Sequence, residues 1–287
     1  MKYLITGANG QLGYEIAKEL QSRGMTDILA TDAAEMDITN KAQVDEVIKG
    51  YKPDVIFHCA AWTAVDKAED EQEKCFAVNV SGTENIANVA KEIDAKMFYI
   101  STDYVFDGTK DGLYGVNDEV NPKSVYGLTK YQGEEKVRNN EKHFIVRISW
   151  VFGINGNNFI KTMLKLSETK NELNVVSDQF GSPTYTVDLA KLLVDMSNTE
   201  KYGTYHANNE GFCSWAQFAE YIFKVNGIDM KVNHVTSEEY PQKAYRPRNS
   251  RLSKESLTEN GFDLLPTWES AVERYSEELA KQKVLTK

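Results

Sequence analysis

The chain opens with a short apolar run, a glycine-rich turn and a helical pattern, and this combination constrains the fold more than any other feature. Residues 2–6 read KYLIT and are followed by G-x-x-G-x-x-G at Gly7, Gly10 and Gly13. Gly7 and Gly10 let the backbone turn tightly and approach a pyrophosphate, while Gly13 lets the helix and the strand pack closely. An anion would bind at the helix N-terminus, where free N–H groups and the helix dipole attract it. The segment therefore predicts the first strand, turn and helix of a dinucleotide-binding domain.

A second apolar run ends in the residue expected to meet the adenosine end of a dinucleotide. The run at 28–31 leads directly into Asp32. This acid lies about twenty residues after the glycine turn, where a carboxylate accepts hydrogen bonds from the ribose hydroxyls. Because a carboxylate repels a 2′-phosphate, Asp32 favours NADH over NADPH.

Predicted strands and helices alternate through the first half of the chain. Helical patterns follow a start signal at 37–40 and cover 70–93 and 126–139. Buried strands are predicted at 54–60, 96–101 and 144–148. The alternation predicts an α/β fold, a Rossmann-type doubly wound parallel sheet. Since ligands of such sheets bind beyond the carboxyl ends of the strands, the glycine turn, Asp32 and the polar residues at 101–102 are expected to share one site.

The second half of the chain changes character. It has fewer long apolar runs and more polar loops, at 153–158, 178–184 and 240–251. We therefore expect a dinucleotide-binding domain over 1–152 and a smaller, mixed, mainly substrate-binding domain over 153–287, from which later segments are free to return to the main sheet.

A tyrosine and a lysine four residues apart, Tyr126 and Lys130, fall on one face of a predicted helix. A nearby ammonium favours the phenolate and lowers the tyrosine pKa, which prepares a phenol for general acid-base chemistry near neutral pH. Y-x-x-x-K alone is also an ordinary solvated helix pattern. The glycine turn and the Ser101-Thr102 pair at a predicted strand end favour the catalytic interpretation.

Composition excludes several classes of function. The chain has 287 residues and a formal net charge of −10, which argues against general binding to nucleic acid or to a membrane surface. No apolar stretch approaches the ~20 residues that span a bilayer. The first twenty residues already form the glycine motif, and the three cysteines are scattered. These features predict a cytoplasmic protein.

Taken together, these motifs resemble the extended short-chain dehydrogenases/reductases, and the finer match is to the dTDP-4-dehydrorhamnose reductase family. Further similar segments include STDYVFDG at 101–108, RISWVF at 147–152 and DQFGSPT at 178–184. Others lie at 53–69, 125–130, 156–159 and 246–252, so the resemblance covers nearly the whole chain.

The resemblance implies a catalytic set and a cofactor, NADH or NADPH. Tyr126 protonates the C4 ketone oxygen of a sugar, Thr102 hydrogen-bonds it, and Lys130 lowers the tyrosine pKa and binds the nicotinamide ribose. Asn79 either orders the site or is an ordinary polar helix residue. The resemblance also implies a set of residues that contact the cofactor: Gly7, Gly10, Gln11, Leu12, Gly13, Asp32, Asp37, Ile38, Ala61, Trp62, Thr63, Tyr126 and Lys130.

The implied substrate is a dTDP-4-keto-6-deoxy sugar, reduced from dTDP-4-dehydro-β-L-rhamnose to dTDP-L-rhamnose. The resemblance places a second set of residues around it: Thr102, Asp103, Tyr126, Trp150, Asn157, Asn158, Arg246, Arg248 and Arg251. Guanidinium groups bind phosphates in bidentate fashion, which suits the three arginines to a nucleotide diphosphate.

Three alternatives remain open from the sequence. A related dehydratase needs a glutamate after the Thr-Asp pair, and Tyr104 stands there instead, which argues against dehydration. A reductase of another dTDP-4-keto sugar and a non-catalytic, NADP-binding regulatory subunit fit the same motifs. Nothing in the sequence fixes the sugar stereochemistry.

The chain departs from the family pattern at its metal site. Some members dimerise around magnesium, and the first ligand matches at Glu15, but the next position falls on Val187 with Asp188 only adjacent. We therefore predict no essential metal. A monomer and a homodimer are both compatible with the sequence.

Overall fold

The computed structural model describes residues 1–285, with side chains described through residue 282. The helices and strands of the first half are β1 Tyr3–Thr6, α1 Gln11–Ser22, β2 Ile28–Thr31, α2 Lys41–Tyr51, β3 Val55–His58, α3 Val65–Asp70, α4 Gln72–Phe76, α5 Thr83–Glu92, β4 Lys96–Thr102, α6 Val125–Val137, β5 His143–Ile148 and β6 Val151–Phe152. A π-helical turn, Ala77–Gly82, joins α4 to α5, and a 3₁₀ turn, Asp103–Val105, follows β4.

The second half consists of shorter elements. These are α7 Phe159–Ser167, β7 Glu172–Val176, β8 Phe180–Gly181, β9 Thr184–Tyr185, α8 Thr186–Ser197, β10 Gly203–His206, β11 Asn209–Glu210, β12 Cys213–Ser214, α9 Trp215–Val225, β13 Lys231–Val235, β14 Asn249–Ser250, α10 Glu255–Glu259, β15 Leu265–Thr267 and α11 Trp268–Leu285.

A six-stranded parallel sheet forms the centre of the molecule, in the order β10-β5-β4-β3-β1-β2. β3 lies beside β1 although β2 comes between them in sequence, so the strand order reverses direction between β1 and β3. In open parallel sheets this switch point opens a crevice beyond the carboxyl ends of the strands. The predicted α/β, doubly wound architecture is confirmed.

Two elements of the second half join the core of the first half. β10 pairs with β5 as the sixth strand. α8 packs against α1, with Leu189 and Leu193 in the same buried cluster as Ile16 and Leu20. Residue 152 is therefore a boundary in sequence but not in the packed core.

A separate, aromatic core holds the rest of the second half together. Phe152, Tyr185, Phe218, Trp268 and Tyr275 are all buried in it, and Phe152 stacks on Tyr185 with ring centroids 5.2 Å apart. Short paired strands and α7, α9 and α11 surround this cluster. The second half thus provides a wall that stands beside the carboxyl edge of the parallel sheet.

The helix predicted over 70–93 differs from the structure. Helical residues begin earlier, in α3, break at Glu71 (φ −114°, ψ 47°), and then pass through α4, the π turn and α5. The wide π turn displaces Asn79, which donates to Trp62 O and accepts from Trp62 N at 2.8 Å. Because this is a tertiary contact, it produces no helical or strand periodicity in the hydrophobic pattern of the sequence. The strand predicted over 54–60 likewise ends at His58.

Candidate active site

A cleft of about 740 Å³ opens at the carboxyl ends of the parallel strands. It brings together most residues that the sequence assigned to a cofactor or a sugar. These are Gly7, Gly10, Gln11, Leu12, Gly13, Asp32, Asp37, Ile38, Ala61, Thr63, Thr102, Asp103, Tyr126, Lys130, Trp150 and Asn157. Because these residues lie at the same edge of the sheet, segments that are distant in sequence converge on one cleft.

The glycine turn has no room for side chains. Gly7 has φ +66°, and a Cβ there would lie 2.8 Å from Ala60 N at the end of β3. A Cβ on Gly13 would lie 2.3 Å from Gly7 O. No side chain among residues described in the structure caps the N-terminus of α1, whose N-cap is Gly10. The turn therefore offers a narrow cradle with N–H groups left for an anion.

Acidic residues line the end of the cleft beyond β2. Asp32 accepts from Asn9 N at 3.1 Å and from Ala33 N at 2.8 Å, which fixes the carboxylate at the mouth of the glycine turn. Asp37 accepts from the backbone and hydroxyl of Thr39, and Ile38 is buried beside it. This end combines carboxylates with an apolar wall.

A loop from the second half lies against the glycine turn. Gly153 N and Asn158 Nδ2 both donate to Gln11 Oε1, at 2.9 and 3.2 Å, and Asn155 donates to Asn9 O. Asn157 lines the cleft. Asn158 instead caps α7 and bonds Tyr275 Oη, so its position is that of a buried structural amide.

Tyr126 stands at the first turn of α6, where it faces the cleft. Ser124 caps the helix by accepting from Gly127 N at 3.1 Å. A Cβ on Gly127 would lie 2.3 Å from Tyr104 O, so this glycine lets the helix approach the end of β4. The Tyr126 ring packs edge-on against Tyr104, with centroids 5.5 Å apart.

The pKa of Tyr126 differs from the sequence expectation. Burial raises the pKa of this phenol above its ordinary value, and the Thr102 hydroxyl opposes the rise only in part. The predicted lowering is wrong for this structure, because desolvation is the largest influence on the phenol. Tyr126 therefore holds its proton firmly until a reaction creates a stronger base beside it.

Lys130 lies one turn further along α6 with its side chain 3% exposed. Its Nζ sits over the Tyr99 ring, 4.0 Å from the centroid. Burial lowers the pKa of Lys130 to about 7, and the Glu134 carboxylate acts in the opposite direction. The ammonium is thus a desolvated charge at the cleft wall.

Asp103 is a buried carboxylate next to Thr102. It accepts from Thr102 Oγ1 at 3.0 Å and from Ser250 Oγ, which reaches it from β14. Burial raises the pKa of Asp103 to about 6, against the hydrogen bonds that lower it. The hydroxyl proton of Thr102 is therefore directed at Asp103 in this structure.

Trp150 separates this cleft from a second cavity. Its φ of +50° is rare for a bulky residue, and its ring stacks on Trp215 with centroids 3.8 Å apart. Trp150 lines the cleft, Trp215 lines the second cavity, and Tyr104 lines both. The stacked indoles form part of the wall between the two spaces.

The second cavity, of about 650 Å³, lies between α7, β7 and the segment at 240–246. Its apolar lining includes Phe159, Leu173 and Val175. Arg246 also lines it and pairs with Asp66 at 2.8 Å. The cavity thus combines apolar side chains with a guanidinium group.

Four predicted residues lie outside both cavities, and the buried amide Asn158 is one of them. Arg248 is exposed and pairs with Glu238 and, at 3.9 Å, with Asp178. Arg251 bonds Asn249 Oδ1. Trp62 bonds Ala64 O through its indole N–H, while its backbone is held by Asn79.

Sequence reasoning missed Tyr104, Phe159 and Trp215. Tyr104 follows Thr102 and Asp103 directly in STDYVF, so its place in the resembling segment was an available signal. Phe159 likewise ends the resembling segment at 156–159, whereas Trp215 reaches the site through long-range packing, which no local pattern reveals.

The candidate metal residues have protein partners. Glu15 is buried and lies 3.5 Å from Lys18 Nζ, and Asp188 receives two hydrogen bonds from Arg274 at 2.6 and 2.7 Å. Within residues 1–285 no group of three or more His, Cys, Asp or Glu side chains is arranged to hold a metal ion. In the same range, no helix has both the length and the apolar character needed to cross a membrane.

Known proteins resemble this chain along nearly its full length. The family model described as the RmlD substrate binding domain matches residues 1–281. A dTDP-4-dehydrorhamnose reductase from Aggregatibacter actinomycetemcomitans is 42% identical over 285 residues, which cover 94% of this chain and 97% of the relative.

Two solved structures share the fold closely. The crystal structure of a dTDP-4-dehydrorhamnose reductase from Clostridium acetobutylicum has a TM-score of 0.95 and 44% identity, covering 98% of this chain and 100% of that one. The enzyme of that name from Bacillus anthracis, in complex with NADP, has a TM-score of 0.94 and 43% identity, covering 97% and 100%. The chain therefore belongs to the dTDP-4-dehydrorhamnose reductase family, within the Rossmann-type nicotinamide-dependent reductases.

Proposed function

We propose that this protein reduces the C4 ketone of dTDP-4-dehydro-β-L-rhamnose to give dTDP-L-rhamnose, with NADH or NADPH as the reductant. The observation that carries the proposal is the placement of Thr102, Tyr126 and Lys130 in the same cleft as the glycine turn. The nicotinamide supplies the hydride. The protein must then orient the ketone and deliver one proton to its oxygen.

Tyr126 is suited to act as the acid. Its raised pKa keeps the phenol protonated before reaction, and the oxyanion that forms at C4 is the stronger base that takes the proton. The positive charge of Lys130 then stabilises the phenolate that remains. The site needs no ionised tyrosine in the resting state.

Thr102 is proposed to hydrogen-bond the ketone oxygen. A hydroxyl carries one proton, and in this structure Thr102 directs it at Asp103. Rotation about the Cβ–Oγ1 bond redirects that proton to the substrate, while Ser250 continues to satisfy Asp103. Thr102 then stabilises charge where it develops.

We propose that the second cavity takes the nucleotide half of the substrate. Its volume, its apolar lining residues and the guanidinium of Arg246 match a base, a sugar and a diphosphate. Under this proposal residues 1–152, together with α8 and β10, hold the cofactor, and most of 153–287 holds the nucleotide sugar.

The test is turnover of purified protein with dTDP-4-dehydro-β-L-rhamnose and NADH or NADPH, with the product identified by NMR. Formation of dTDP-L-rhamnose is expected. A product of different C4 configuration, or activity only on another dTDP-4-keto sugar, would replace the substrate assignment. Cofactor binding without turnover, together with stable association with a partner enzyme, would favour the regulatory-subunit alternative.

Arg246→Ala should raise the KM for the nucleotide sugar by about 10- to 100-fold, because it removes charge-assisted hydrogen bonds to the diphosphate. The KM for NADH should stay within about twofold, since Arg246 lies outside the cofactor cleft. Steady-state kinetics with each substrate varied in turn gives both values.

Arg248→Ala is the matched control for that measurement. Arg248 is 56% exposed and its ion pairs face outward, so the KM for the nucleotide sugar should change less than about threefold. Equal effects in the two variants would contradict the assignment of Arg246 to the diphosphate.

Asp32 should make NADH the preferred cofactor. Replacing it by serine should shift the ratio of kcat/KM values toward NADPH by about tenfold, since about 1.4 kcal/mol of repulsion toward a 2′-phosphate is removed. The measurement compares both cofactors in both proteins. A strong NADPH preference in the unsubstituted protein would contradict this role of Asp32.

A further inference from the structure

A buried ion pair joins the Tyr126–Lys130 helix to the central sheet. Glu134, on α6, is fully buried and accepts from Arg147 Nε and Nη2, each at 2.8 Å. It also accepts from Ser101 Oγ at 2.6 Å and from Arg138 at 2.9 Å. Arg147 is 1% exposed, and its remaining nitrogen donates to Val116 O at 3.2 Å.

These groups are aligned with the candidate catalytic residues. Ser101 directly precedes Thr102 on β4, and Arg147 is the residue opposite Ser101 on β5. Glu134 follows Lys130 by four residues and therefore lies one turn along the same helix. The ion pair thus ties the helix that carries Tyr126 and Lys130 to the strand end that carries Thr102.

The position of α6 against β4 is closely constrained. A Cβ on Gly133 would lie 2.2 Å from Tyr99 Oη, and Tyr99 Oη donates to Lys130 O at 3.1 Å. This close contact sets the distance between α6 and β4. The bidentate Arg147–Glu134 contact sets the rotation of the helix about its axis.

The charges around Lys130 single out Glu134. His58 and Cys59 at the end of β3, Cys75 on α4 and Tyr99 on β4 surround the ammonium. Tyr126 lies one turn before Lys130 on α6. Burial lowers the pKa of His58 to about 3 and raises the pKa of Cys59 to about 12. Burial also raises the pKa values of Cys75, Tyr99 and Tyr126, so all five groups are neutral near pH 7. Burial opposes the ionisation of Glu134, but the contacts with Arg147 and Ser101 keep its pKa below the ordinary value. Glu134 is thus the ionised carboxylate that acts on Lys130 among the described residues.

We propose that Glu134 is a positioning residue for the reduction. Its buried contact with Arg147 holds α6 in register with β4, and its carboxylate stabilises the charge of Lys130. The inference rests on the proposed function of the cleft. It assigns a role to a buried ion pair that lies outside the cleft lining. A buried pair costs desolvation energy and is often replaceable by apolar residues without loss of stability, so stability alone does not account for it.

Two variants test the proposal. E134Q keeps the side-chain shape and removes the charge, but it leaves Arg147 buried without an ionised partner and can destabilise the fold. E134L/R147M replaces both members by apolar side chains of similar volume, a change that folded proteins tolerate. K136M is the control, because Lys136 lies on the same helix and pairs with Glu84 near the surface. Thermal unfolding establishes that each variant is folded.

The first measurement needs no cofactor or substrate. The Cε signals of ¹³C-labelled lysine are followed by NMR as a function of pH, with Lys130 assigned by its absence in K130M. Removal of an anion disfavours the charged amine, so the Lys130 midpoint should fall by about one pH unit in E134Q. In E134L/R147M the fall should be smaller, because the loss of the Arg147 cation opposes it. The midpoint should not move in K136M.

The second measurement is the pH profile of kcat/KM for the nucleotide sugar. Its basic limb should move to lower pH in the Glu134 variants, with little change in KM. A folded E134L/R147M protein with an unchanged Lys130 midpoint and an unchanged profile overturns the proposal. If the unsubstituted protein does not turn over the sugar but the Lys130 midpoint still falls in the variants, the proposed function fails and the electrostatic role of Glu134 stands.

Discussion

Tyr126→Phe should lower kcat for ketone reduction by about 10³-fold while leaving NADH affinity within about twofold. The substitution removes the one hydroxyl proposed to protonate the C4 oxygen, yet it keeps the ring that packs against Tyr104. The protein should therefore fold normally and bind cofactor normally. Steady-state kinetics gives kcat, and quenching of protein fluorescence by NADH gives the dissociation constant.

Tyr131→Phe provides the matched control on the same helix. Tyr131 packs against the small cluster around Phe106 and lies outside the cleft lining. Its loss of a hydroxyl should leave kcat unchanged. If Tyr126→Phe retained more than a tenth of the unsubstituted kcat, Tyr126 would not be the proton donor.

Lys130→Met should lower kcat by about 10²-fold and weaken NADH binding by about tenfold, since one buried charge serves both the phenolate and the cofactor ribose. Methionine retains most of the volume packed over Tyr99. The variant should also be more stable than the unsubstituted protein near neutral pH, because the desolvated ammonium is gone.

The pH dependence of the same pair of proteins gives a sharper test. Burial lowers the pKa of Lys130 to about 7, so in the free enzyme the ammonium is present below that pH and is lost as pH rises through it. The kcat/KM of the unsubstituted enzyme should fall over this window, and Lys130→Met should lack that limb. A limb that persists in Lys130→Met would belong to another group.

The sequence predicted where the site lies because its residues occupy strand ends and turns. Gly7, Gly13 and Asp32 are constrained by local backbone geometry and by their distance from a strand, and both signals are visible in one sequence. The doubly wound sheet followed from alternation in the same way. These features depend on contacts between near neighbours in the chain.

Properties set by long-range packing were not predictable. The raised pKa of Tyr126 depends on how completely the fold buries its phenol, and the sequence pattern indicated only the nearby lysine. Trp215 meets Trp150 across 65 residues of chain, and Arg246 and Arg248, two residues apart, point to different environments. Each outcome depends on tertiary contacts rather than on residue type.

The late arrival of β10 affects how the chain is made. During synthesis the first 152 residues emerge well before Gly203–His206. Until β10 is made, the edge of β5 that pairs with it has no hydrogen-bonding neighbour. The apolar face of α1 likewise stays uncovered until α8 is made. Nascent chains with an open strand edge are prone to aggregate, and a fragment cut at residue 152 should do so when expressed alone. The ribosome therefore has to deliver about seven tenths of this polypeptide before its first structural layer can close.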